Sequence, residues 1–95
     1  MPDSPRSLAL ARTRELAAHL RAHPEHEALA RLVEVCEHLE RAIDAFHMEG
    51  IRLRAYTLDR FLHGRGDLTV DAGDPARQIF RDVKAALEEA GFHTK

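Results

Sequence analysis

Residues 29–62 read LARLVEVCEHLERAIDAFHMEGIRLRAYTLDRFL, and their periodicity decides the fold. Apolar side chains recur at Leu29, Leu32/Val33, Cys36, Leu39, Ile43 and Phe46/His47, then at Ile51, Ala55, Leu58 and Leu62. A helical period of 3.6 residues started at Leu29 passes within one position of each of these. The phase runs straight across Gly50, and no Ser, Thr, Asp or Asn at 50–54 could cap a new helix. The pattern predicts one long central helix over roughly residues 25–63, about 58 Å long at 1.5 Å per residue. The alternative is a helical hairpin broken near Gly50, with Phe46 and Ile51 making the apolar contact that accompanies a helix end. Ile51-Arg52-Leu53-Arg54-Ala55 also alternates as a strand would, but five residues weigh less than the helical phase on both sides.

Two shorter helices flank this segment. Residues 1–4 read as a frayed tail. Ser4 can cap a first helix with Pro5 at its first position, and Ser7 is a second possible start. Its stripe is Ala9, Thr13, Leu16 and Leu20, and it ends near Ala22 because Pro24 forces His23 out of the helical region. Pro24 can open the following helix. Beyond His63, residues 64–74 read as a glycine-containing loop in which Leu68 and Val70 could form a short edge strand. Asp74 looks like the N-cap of the last helix, with Pro75 at its first position, and the stripe runs through Ile79, Phe80, Val83, Leu87 and Ala90. Gly91 ends that helix, and Phe92 can fold back on it. The expected fold is all-α: a single domain over 1–95, a small bundle with a long central helix flanked by two shorter ones.

Composition agrees. Fifteen Ala and twelve Leu in 95 residues, with few β-branched or aromatic residues, favour helix over sheet. Leu, Ile, Val and Phe number 23, enough for a core. No stretch free of Asp, Glu, Lys and Arg reaches the length of a membrane span or a signal-peptide apolar region. The lone Cys36 fits a reducing compartment, so a small bacterial-type cytoplasmic protein is expected, with no membrane partner. The net charge of −2 hides a segregation, −5 over residues 25–50 and +3 over residues 51–65. Solvated helix surface is the plain explanation. Complementarity between segments or between subunits is the sharper one.

If the central helix were continuous, each flanking helix would cover half of its stripe, and a second copy would have to cover the rest. The expected interaction face is Leu29, Leu32, Cys36, Leu39, Ile43, His47, Ile51, Leu58 and Leu62. An antiparallel pair would also set the −5 segment against the +3 segment.

Seven histidines invite a metal reading, with Glu15, His19 and His23 one turn apart, Glu34 with His38, and Asp44 with His47. Yet no Glu-x-x-His of the di-iron type occurs, and such pairs are ordinary on exposed helices. His47 is expected at the core edge, bonded to Asp44 or a backbone group. Cys36 is expected as a small buried hydrophobe without a base to activate it. No phosphate loop, nucleophile elbow or zinc-finger spacing is present, so no catalytic residue and no cofactor are expected. Arg52, Arg54, Arg60 and Arg65 with Tyr56 could follow phosphates, but they project in different directions on an acidic chain, which disfavours nucleic acid. The reading is a non-enzymatic homodimeric helical module that docks on an unidentified protein partner. A small metal- or ligand-binding bundle and a nucleic-acid-associated regulator are the alternatives.

Overall fold

Four helices, α1 (Pro5–Arg21), α2 (Glu27–Asp44), α3 (Met48–Gly64) and α4 (Val70–Glu89), make up the protein in a computed structural model that describes residues 4–23, 27–64 and 70–92. The all-α bundle expected from periodicity is present, and of its two expected forms it takes the helical hairpin broken near Gly50 rather than the continuous central helix. The longest dimension is 35 Å, too short for a helix of about 58 Å. Residues 45–47 divide it into α2 and α3, three residues ahead of Gly50, which lies within the first turn of α3.

The break is built from backbone. Phe46 takes φ of 55°, His47 N–H donates to the Ala42 carbonyl at 2.8 Å, and Phe46 N–H donates to Ile43 at 3.2 Å. These two bonds make a Schellman end with Phe46 where glycine is usual. The end of α4 repeats the design with the expected residue. Gly91 has φ of 91°, Phe92 N–H donates to Leu87 and Gly91 N–H to Glu88. The chain turns at Phe46, so the stripes of α2 and α3 both face one core, and their matching phase does not require a continuous helix.

Helix α1 begins as expected. Ser4 accepts from Ser7 N–H at 3.1 Å, Pro5 follows, and Ala22 closes the helix. Thr13 is fully buried and donates to the Ala9 carbonyl at 2.8 Å, so its hydroxyl is satisfied. Helix α4 departs from expectation, starting at Val70, with Asp74 and Pro75 inside rather than at its cap. The loop expected over 64–74 is therefore helical from Val70, and the edge strand at Val70 does not form; Leu68 and the opening role of Pro24 lie outside the described residues. Asp74 pairs with Arg77 at 3.0 Å, while Arg77 Nε donates to the Leu62 carbonyl at 2.8 Å and satisfies an end carbonyl of α3.

Each helix touches two neighbours, in a ring α1–α2–α3–α4 that closes back on α1. Cross-links fix the directions. Arg6, Arg14 and Arg21 of α1 pair with Asp44, Glu40 and Glu37 of α2, so the two run antiparallel. Asp59 and Leu62 of α3 meet Lys84 and Arg77 of α4 in the same reversed order. At one end of the bundle Phe46 lies against the Phe92 ring, 6.1 Å between centroids, with the Arg6 guanidinium 4.6 Å above it. The core is continuous, with Leu16, Leu20, Leu29, Leu39, Ile43, Ile51, Leu58, Leu62, Phe80 and Leu87 fully buried.

Candidate functional site

The expected interaction face lies mostly inside one chain. Leu29, Cys36, Leu39, Ile43, Ile51, Leu58 and Leu62 are fully buried, and Leu32 nearly so. The cause is the break at 45–47, which lets α1 and α4 of the same chain cover the stripe that a continuous helix would leave open. His47 is the exception. It is exposed rather than at the core edge, and of its two expected partners it takes the backbone group: its Nδ1 accepts the Gly50 N–H at 2.9 Å and caps α3. Asp44 turns to Arg6. Burial pushes the Cys36 thiol up to about 12, with Glu40 adding to the effect; a thiol so held is not a nucleophile.

The acidic surplus of residues 25–50 is also explained within the chain. Glu37, Glu40 and Asp44 form one edge of α2 and meet the three arginines of α1. Within one chain, that edge of α2 is complementary to α1.

Of the exposed large apolar side chains, Phe46 lies in the turn, while Met48, Leu53 and Tyr56 lie on α3. The inner face of this helix is Ile51, Ala55, Leu58 and Leu62. The opposite face, at helical spacing, is Leu53, Tyr56, Thr57, Arg60, Phe61 and Gly64. Leu53 is 55% exposed and Tyr56 57%, and Phe61 is partly buried against the core. Tyr56, Thr57, Arg60, Phe61 and Gly64 line an open groove of about 520 Å³, where Arg60 Nη1 donates to Tyr56 Oη at 3.5 Å. In the sequence Tyr56 reads only as a neighbour of the arginines and Leu53 only as part of a strand-like alternation, because the inner stripe claims the same helix; the signal of an outer face is the i, i+3, i+7 series Leu53, Tyr56, Arg60.

A second cleft, about 330 Å³, opens where α2 turns into α3, lined by His38, Arg41, Ala42, Ala45, His47, Gly50 and Arg54. Of the basic set that could follow phosphates, Arg54 lies in this cleft, Arg60 lies in the groove, Arg52 is exposed, and Arg65 is outside the described residues. They do not form one track. The described histidines form no single cluster either. His19 and His23 meet edge to face at 4.9 Å, and His63 pairs with Asp59 at 3.6 Å. Among the described residues no three His, Cys, Asp or Glu side chains converge as a metal site would require. Nor, among the described residues, is any helix long and apolar enough to cross a membrane. Comparison with family models, curated proteins and solved structures finds no match for the chain.

Proposed function

We propose that the protein is a non-enzymatic helical interaction module of the cytoplasm that docks on another protein through the outer face of α3. The observation that carries this reading is the exposure of Leu53 and Tyr56 beside the groove at Phe61, on a helix whose inner face is already filled. Burying two such side chains contributes several kcal/mol at about 25 cal/mol per Å². Tyrosine and arginine are also the types that dominate binding hot spots, and Tyr56 and Arg60 stand together here. A single free cysteine supports the reducing compartment.

The face can receive a different protein or a second copy. The earlier reason for a second copy, an uncovered stripe on α2 and α3, no longer applies, because one chain closes its own core. The test is a double variant, Leu53→Ser with Tyr56→Ser, which should fold with an unchanged unfolding midpoint. Immobilised wild-type chain should capture a partner from host extract that the double variant loses. Light scattering distinguishes self-docking, as a mass twice 10.7 kDa that falls to the monomer in the double variant. Equal capture and equal mass for the two proteins would remove the reading.

A further inference from the structure

We propose that the cleft at the α2–α3 turn is a binding site for the phosphoryl group of a small phosphorylated ligand. Its basic residues come from two helices that the hairpin brings together. His38, Arg41 and Ala42 share one face of α2 at i, i+3 and i+4, Ala45 and His47 belong to the turn, and Gly50 and Arg54 share one face of α3 at i and i+4. No acid lines the cleft among the described residues. Helix α2 is rich in acids, but Glu37, Glu40 and Asp44 are directed to the arginines of α1.

The pairing of the arginines sharpens the point. Among the described residues Arg6, Arg12, Arg14, Arg21, Arg31 and Arg77 each hold a carboxylate, Arg60 holds Tyr56, and Arg52 has a partner. Arg41, Arg54 and Arg81 hold no carboxylate among the described residues. Two of these three lie in the same cleft. Two unneutralised guanidinium groups match a phosphoryl dianion in charge, and the planar fork of each suits its oxygens. His47 adds a donor by its own geometry. Its Nδ1 accepts from Gly50 N–H, so the neutral ring carries its proton on Nε2. Gly50 and Ala42 let the two helices approach closely beneath the cleft. A methyl group at Gly50 would stand 3.2 Å from the Ala42 Cβ and 2.7 Å from His47 Nδ1.

Isotope-labelled full-length chain titrated with inorganic phosphate at constant ionic strength tests the site. Saturable amide shifts should centre on residues 38–54, and Arg41→Gln with Arg54→Gln should weaken binding by about tenfold or more, as loss of charge-assisted bonds requires. Arg81→Gln, which removes an arginine outside the cleft, should leave affinity unchanged. Titration with AMP and with free phosphoserine separates a nucleotide from a phosphorylated amino acid as the source, and either should bind at least as well as phosphate. The proposal is overturned if acetate binds as tightly as phosphate, if Arg81→Gln weakens binding as much as the cleft variants, or if no saturation appears. Circular dichroism of the variants ensures that a loss of binding is not a loss of fold.

Discussion

His47 and Gly50 form a reciprocal unit in which one ring nitrogen caps α3 and the missing side chain makes room for that ring. Replacing His47 by Ala removes the cap and should lower stability by about 0.5–2 kcal/mol, whereas His47→Asp, a stronger cap, should retain or raise it. Gly50→Ala is ordinarily favourable inside a helix by about 0.5–1 kcal/mol. Here the added methyl displaces the capping ring, so the sign reverses and the urea midpoint should fall. Cys36 supplies a second residue-scale test. Its thiol is raised to about 12 in the folded chain, mainly by burial, from an ordinary value of 9.0. The folded state therefore holds that proton more tightly than the unfolded state. Its contribution is complete below about pH 9 and is lost as pH rises from there toward about 12. Thiol reagents should leave Cys36 unmodified in the native protein at pH 8 and label it fully in denaturant.

Between elements, the ion pairs that join α1 to α2 set register more than they stabilise. Their side chains are largely exposed except for Arg6 and Glu40, and such pairs contribute about 0–1 kcal/mol each. Arg14→Ala should therefore shift the unfolding midpoint only slightly, and added salt should do little more. Ile43→Asp places a charge in the fully buried core of a single chain. Loss of helical circular dichroism is the expected outcome, and a folded monomer split from a dimer would contradict this packing. The elements themselves were largely legible from the sequence. Ser4-Pro5, the end at Ala22 and the Gly91-Phe92 stop all appear where composition placed them. The two misplaced boundaries share a cause. Residues that do not ordinarily occupy special positions do so here: Phe46 stands at a left-handed helix end, His47 serves as a cap, and Pro75 sits inside α4. Propensity describes the common occupant of a position; at Phe46 the contacts with the Phe92 ring and the Arg6 guanidinium accompany the uncommon one.

For the whole molecule, that single break changes what the surface offers. A continuous helix would have turned the Leu29–Leu62 stripe toward a second copy; the hairpin turns it inward and leaves Leu53 and Tyr56 outside. The stripe's residues were legible in the sequence, but their destination was not, because the same phase serves an unbroken helix and two helices facing one core. The most direct measurement is therefore a distance along the chain. Spin labels at Glu27 and His63, both exposed, report the span from the start of α2 to the end of α3. Pulsed electron resonance should give a separation within the 35 Å long dimension of the bundle, allowing for the label arms. A separation near 54 Å, the length of about 36 residues of uninterrupted helix, would contradict the hairpin and the closed core that follows from it.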